Sequence, residues 1–315
     1  MESAPEHYDE FSMFEENCRE VGIPWKGRPT VERRSFDVGG GQSVSALVWG
    51  DQPPSVVFLH GGGQNAHTWD TVVLGLGRPA LAIDLPGHGH SAWRVDRDYW
   101  PWSNAEAVSS VLDQIGARPQ AVVGMSLGGL TTIRLGSIRP DLVPKAVIVD
   151  VTPGVLQRAV EMTLEERGTT ALVGGPKIYE SFDAMFQETM KLSPLRTPSG
   201  VRRGVLHNAR RLDDGRWRWR YDIGGRPTEE DTDASAPSAT QTRSFLDLWE
   251  DASRLGMPVM LVRGGVSKFV MDEHEQHFRM RKPDLRVEVV DGAGHAVQSD
   301  QPMRLVELID QFVPQ

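Results

Sequence analysis

Short, uninterrupted apolar runs recur along the chain at Ser55–Leu59, Ala80–Ile83, Ala121–Val123, Ala146–Val149 and Val259–Val262. They are too short for helices and lack the polar alternation of a strand wetted on one face, so each reads as a strand buried on both sides. Between them the apolar spacing turns helical, as in Ala105, Val108, Val111, Leu112 and Ile115, and in Leu127, Leu130, Ile133 and Leu135. A helix over Asp272–Arg281, a strand over Arg286–Val290 and an amphipathic helix over Met303–Val313 close the chain. Strands and helices alternating in this way specify an α/β fold with a mostly parallel central sheet flanked by helices. Ahead of that alternation, Val31–Val38 and Val44–Trp49 flank Gly39-Gly40-Gly41 and predict a hairpin. Phe11, Phe14, Cys18 and Val21 recur at helical spacing among acids, predicting an amphipathic helix over about residues 7–22 that lies on the main body without a catalytic part.

The rhythm breaks between Pro153 and about Glu250. Helical patterns over Leu156–Arg167, Ile178–Leu192 and Val201–Arg211 replace the strand–helix alternation. Within them Arg216-Trp217-Arg218-Trp219-Arg220-Tyr221 alternates strictly, as a short strand with its aromatics on one face would. Residues Gly224–Thr242 are rich in Gly, Pro, Ser, Thr and acids, and a mobile loop is expected there. The predicted organisation is therefore a core from residues 1–152 and 251–315, with a helical cap over 153–250 inserted after the strand that ends at Asp150.

Candidate chemistry gathers where strands end. The strand through Val123 runs into Gly124-Met125-Ser126-Leu127-Gly128, and a helical pattern follows at once. In that context Gly-x-Ser-x-Gly reads as a nucleophile elbow, with the serine held on a strained turn and the glycines avoiding collisions with neighbouring backbone. The start of the following helix also aims N–H groups and positive dipole at an anion beside Ser126. Another strand leads into His60-Gly61-Gly62-Gly63, whose glycines leave backbone N–H groups unobstructed. This predicts an oxyanion hole from the N–H groups of Gly62, with Gly63 in reserve, and Leu127. His60 reads as the residue that holds this loop.

Asp84-Leu85-Pro86-Gly87-His88-Gly89-His90-Ser91 reads as a tight loop whose Asp84 bonds backbone. Its two histidines have no second ligand cluster at suitable spacing, so no metal site is expected. Tyr99-Trp100-Pro101-Trp102 either borders a substrate entrance or packs on the surface. The last strand ends in Asp291-Gly292-Ala293-Gly294-His295, which places a histidine where a general base would meet Ser126.

Composition narrows the partners. A net charge of −9 argues against general affinity for nucleic acid or anionic membrane, because phosphate neutralisation needs a basic surface. The longest apolar stretches fall short of a membrane span, and the start of the sequence lacks the basic and apolar regions of a secretion signal. Cys18, the one cysteine, has no internal disulfide partner, so the cytoplasm is the expected compartment. Oligomeric state is not legible.

His-Gly-Gly-Gly, Asp-x-Pro-Gly-x-Gly-x-Ser, Gly-x-Ser-x-Gly, a mid-chain cap and a late Gly-x-Gly-His follow one another in an order that resembles the α/β-hydrolase fold over roughly residues 30–313. More narrowly, the chain is similar to mycobacterial and other actinobacterial serine esterases of that fold, including the N-terminal helix and the Arg-Trp-Arg-Trp-Arg-Tyr stretch. It is similar at greater distance to small bacterial esterases and mitochondrial hydrolases that carry Gly-Gly-x-Ser-x-Phe/Tyr-Val. The resemblance implies Ser126 as nucleophile, His295 as base, and Gly62 and Leu127 as oxyanion donors.

Many family members keep the triad acid a few residues after the strand equivalent to Val259–Val262, but here Lys268 stands about there and cannot accept the imidazole N–H. The subgroup with Gly-Gly-x-Ser-x-Phe/Tyr-Val uses the neighbouring strand end, which assigns Asp150 ahead of Asp272. The implied activity is hydrolysis of a small to medium apolar ester through an acyl-enzyme, without cofactor or metal. Thioester, lactone or carbon–carbon bond hydrolysis share the triad, and a ligand receptor with a vestigial triad is the alternative outside enzymes.

Overall fold

The computed structural model describes residues 8–155, 161–174, 178–222 and 247–314. Its strands are β1 (Val31–Gly39), β2 (Gln42–Trp49), β3 (Val56–Leu59), β4 (Ala80–Ile83), β5 (Ala121–Met125), β6 (Ala146–Val149), β7 (Ile178–Tyr179), β8 (Ala209–Arg211), β9 (Trp217–Trp219), β10 (Val259–Gly264) and β11 (Arg286–Val290). Eight of them form one sheet in the order β1-β2-β4-β3-β5-β6-β10-β11. The β1/β2 hairpin and the β2/β4 pair are antiparallel, and every later neighbour is parallel.

The period of two along each strand explains how both faces are buried. Val57 and Leu59 of β3, Leu81 and Ile83 of β4, and Val122 of β5 point to one side, where they meet helices α3 (Pro101–Ile115) and α4 (Leu127–Ile138). Val56, Phe58, Ala80, Ala82 and Val123 point to the other, against α2 (Asp70–Leu76) and the C-terminal helix Pro302–Phe312. The amphipathic helix α1 is Phe14–Val21, shorter than its pattern suggested, because Phe11 sits in the preceding turn. It lies on this second face, with the Phe14 ring 4.8 Å from that of Trp49.

The segment expected to form a cap departs from the helical expectation. Tyr179, Phe182, Met185, Val201, Val205 and Trp219 belong to a small core of their own, which includes a three-stranded sheet ordered β7-β9-β8. The helix expected over Ile178–Leu192 is split into β7 and the helix Phe182–Lys191, because Ser181 accepts a hydrogen bond from Ala184 N at 3.1 Å and caps the later start. Likewise the helix expected over Val201–Arg211 is Pro198–Asn208, started by Thr197 as cap with proline in the first turn, and its last residues turn into β8. Trp219 and Tyr221 stack at 5.8 Å as the alternating stretch suggested. The loop expected over Gly224–Thr242 and part of the helix expected over Leu156–Arg167 lie outside the described residues.

Parallel register brings the strand ends level. Leu59 pairs with Gly124, Met125 and Val262 with Val149, and Gly264 with Val290. The loops that follow β3, β5, β6, β10 and β11 therefore open on one edge of the sheet.

Candidate active site

Ser126 follows β5 and precedes α4, with φ 50° and ψ −116°. A side-chain-bearing residue rarely holds positive φ, and the surroundings enforce it. Ser126 N donates to Val149 O at 3.1 Å, while Ser126 O accepts from Leu130 N at 3.0 Å. The glycines of the turn make the close approach possible. A Cβ at Gly128 would lie 2.2 Å from Leu59 O, and one at Gly124 would lie 2.3 Å from Gly128 O.

Asp150 follows β6, also at positive φ (51°), and is wholly buried. Its Oδ1 accepts from Gly264 N at 2.9 Å, and its Oδ2 accepts from both Ser267 Oγ and the His295 ring. The His295 Nδ1 to Asp150 Oδ2 distance is 2.8 Å. With Nδ1 bonded to a carboxylate, the proton belongs on Nδ1 and the lone pair on Nε2. That Nε2 is buried and makes no hydrogen bond to a described residue. The Phe269 ring lies flat on the imidazole, with centroids 3.6 Å apart and planes 15° from parallel. Bringing the two loops together also needs Gly264, where a Cβ would stand 2.1 Å from Gly294 O.

Ser126, His295, Gly61, Gly62 and Gly63 all line one cavity of about 360 Å³, whose wall also includes Leu172, Val205 and Trp219. Apart from its chain neighbours, no described residue stands within 4 Å of where a Gly62 side chain would begin. Leu127 is the first residue of α4, so its N–H lacks an intrahelical acceptor. His60 does not line this cavity. Its ring bonds Gly61 O at 2.8 Å and accepts from Leu85 N at 2.9 Å, and burial lowers its pKa to about 3, so a neutral imidazole ties two loops together. Asp84 accepts from Ala66 N and His90 N, as expected of a loop-holding acid, and also pairs with Arg33 at 2.7 Å.

The structure separates the rival acid from the histidine. Asp272 begins the helix Asp272–Arg281, is 85% exposed at its side chain, and pairs with Arg263 at 3.0 Å. The aromatic stretch at Tyr99 is not among the residues lining the cavity. Tyr99 is buried against Gly87 and donates to Asp222 at 2.7 Å.

Sequence reasoning missed a polar cluster beside the cavity. His67 Nδ1 lies 2.8 Å from Asp70 Oδ2, His67 Nε2 lies 3.0 Å from Glu10 Oε2, and the His207 ring stacks on His67 at 3.9 Å. Burial opposes a charge on His67, but Asp70 and then Glu10 outweigh it and raise its pKa to about 9. Glu10 is also part-buried, yet hydrogen bonds from His67 and Arg33 hold it down to about 2. Atoms of His67, Asp70 and His207 lie within 4.8 Å of one another, the spacing of a metal site. Their geometry does not suit one ion, because imidazole lone pairs lie in the ring plane and these rings are stacked only 12° from parallel. Members of this cluster stand as far as 199 residues apart in sequence, as Tyr8 and His207 do, which left no local signal.

The alpha/beta hydrolase family model matches residues 56–308. The chain belongs to this family. It is 49% identical over 303 residues to the esterase Rv0045c of Mycobacterium tuberculosis, covering 96% of this chain and 94% of that protein. A crystal structure of the same esterase superposes with a TM-score of 0.83 at 44% identity, covering 99% of this chain and 100% of that one. The mouse sn-1-specific diacylglycerol lipase ABHD11 is 27% identical over 264 residues, 82% of this chain and 81% of that protein. The chain shares its fold with E-2-(acetamidomethylene)succinate hydrolase, at a TM-score of 0.74 and 24% identity.

Proposed function

We propose a serine mechanism for the ester hydrolysis that this member of the alpha/beta hydrolase family carries out. Ser126 Oγ adds to the ester carbonyl carbon while His295 Nε2 takes its proton, and Asp150 holds the imidazole and stabilises its cation. The N–H groups of Gly62 and Leu127 receive the oxyanion, with Gly63 adjacent. Collapse breaks the bond to the alcohol, which leaves with the proton from His295. Water then gives a proton to His295, adds to the acyl carbon, and releases the acid as Ser126 regains its proton.

One observation carries the reading. The buried Asp150 carboxylate orients a histidine whose free nitrogen is buried in the wall of the cavity that also holds a strained serine. The substrate is a small molecule, and no helix among the described residues is long and apolar enough to cross a membrane. Cys18 is buried on α1 without a disulfide partner, which suits the cytoplasm as the place of action. Hydrolysis of p-nitrophenyl butyrate tests the mechanism. Ser126→Ala should lose on the order of 10⁶ in kcat, and activity near the parent level would remove Ser126 from it.

A further inference from the structure

Helix α1 lies outside the span matched by the family model, yet Asn17, Glu20 and Val21 on it line the cavity that contains Ser126. Two independent ties hold it there. Phe14 packs on Trp49 of the core, and Glu16 and Glu20 both pair with Arg203 of the cap helix Pro198–Asn208. These ion pairs use up the charged groups of α1 that face the cap. The neutral group between them stays unspent: Asn17 is 6% exposed, lines the cavity, and its carboxamide hydrogen-bonds to no described residue. Gln298, which is 1% exposed, lines the same cavity. Its Nε2 donates to Thr68 at 3.1 Å, but its Oε1 has no donor among the described residues.

Buried amides are ordinarily paired, and an unpaired one facing a cavity is a site waiting for a complementary group. Charge on that group would have no unpaired counter-charge here, since Arg203 is already held by two carboxylates and Arg196 by Asp300. Asn17 offers both a donor and an acceptor, and Gln298 offers an acceptor. We infer that Asn17 determines specificity by hydrogen-bonding a neutral hydroxyl or amide carried on the substrate away from the scissile carbonyl. The physiological ester is then one with a second polar group, and α1 supplies its recognition.

This inference rests on the serine-esterase reading, and matched substrates separate the two. Plain p-nitrophenyl acyl esters and their ω-hydroxy and ω-acetamido counterparts, each from four to eight acyl carbons, are compared by kcat/KM. For the chain length at which the parent most favours the polar member, Asn17→Leu should lower the polar-to-plain ratio about tenfold, chiefly through KM. An unchanged ratio overturns the inference. Asn17→Ala, checked by circular dichroism, replaces Asn17→Leu where the larger side chain impairs folding, and the same ratio decides. If Ser126→Ala matches the parent on the plain esters, the esterase mechanism itself fails. If plain esters need Ser126 while the ratio ignores Asn17, only the role of α1 is refuted.

Discussion

Replacing Asp150 by asparagine changes one atom of the site and tests its electrostatics directly. The carboxylate is fully buried and makes three contacts, to Gly264 N, Ser267 Oγ and His295 Nδ1. Asparagine can keep its oxygen toward Gly264 N, which then points its NH₂ at Ser267 and His295. The serine hydroxyl can rotate to accept, but the histidine must present a lone pair at Nδ1. Its proton moves to Nε2, the atom that the proposed mechanism needs free to take the proton of Ser126. A wrong tautomer of this kind, with loss of charge stabilisation, should lower kcat by about 10⁴. Folding should suffer less, because neutral hydrogen bonds replace charge-assisted ones at a cost of about 1–3 kcal/mol. Asp272→Asn touches only an exposed pair with Arg263 and should stay within about 1 kcal/mol in stability and near the parent in rate. Initial rates on p-nitrophenyl butyrate, with urea melts of all three proteins, give the comparison. An Asp150→Asn enzyme within tenfold of the parent, or an equal loss in Asp272→Asn, would refute the assignment of the acid.

Two further outcomes follow from packing and charge. Gly128→Ala puts a methyl 2.2 Å from Leu59 O and 2.7 Å from His60 O, both backbone atoms, and should destabilise by about 3 kcal/mol or more in urea melts; a parental midpoint would mean that the elbow yields freely. His67, raised to about 9, contributes stability that is fully present below its unfolded pKa near 6.5 and is lost as pH rises through about 9, on the order of 3 kcal/mol in all. Glu10, lowered to about 2, has the opposite sign: its contribution is present above its unfolded pKa and is lost as pH falls through about 2. A melting series from pH 6 to 10 should therefore show a decline that His67→Gln flattens, and equal slopes in the two proteins would show that His67 is not the titrating group.

What the sequence disclosed depended on how local each cause is. Strand β5, the glycines at 124 and 128 and helix α4 are contiguous, so the strained turn at Ser126 was legible from pattern alone. Asp150 was reached through the resemblance to the subgroup that keeps its acid on that strand end, once Lys268, which is exposed in the loop after β10, could not serve. The same loop carries Ser267 and Phe269, which touch Asp150 and His295, yet spacing gave no hint of these contacts because they depend on β6, β10 and β11 lying side by side. The cap misled for a different reason. Tyr179 and Ala209 satisfy a helical apolar spacing, and only the capping residues Ser181 and Thr197 mark where helices begin. Helix α1 was recognised as amphipathic, but periodicity identifies a buried face without saying whether protein or a cavity lies against it, so nothing in the pattern singled out Asn17.

The contrast between the two halves of the cavity bears on how such an enzyme diverges. Ser126, Asp150 and His295 stand on ends of strands whose register is fixed by pairing over several residues, and the loops of Ser126 and His295 are each locked by a backbone approach that excludes even a methyl group. Under the proposed mechanism, changes there should move the reacting atoms and be felt in kcat. The opposite wall is lent by α1 and by the cap helix Pro198–Asn208, joined to each other by side-chain ion pairs of Arg203 with Glu16 and Glu20. Side chains on that wall can be exchanged without disturbing a strand. Substrate choice can therefore drift through positions such as 17 and 21 while the strand-end machinery stays fixed, and this division predicts that relatives sharing the elbow will differ in substrate according to what stands on their equivalent of α1.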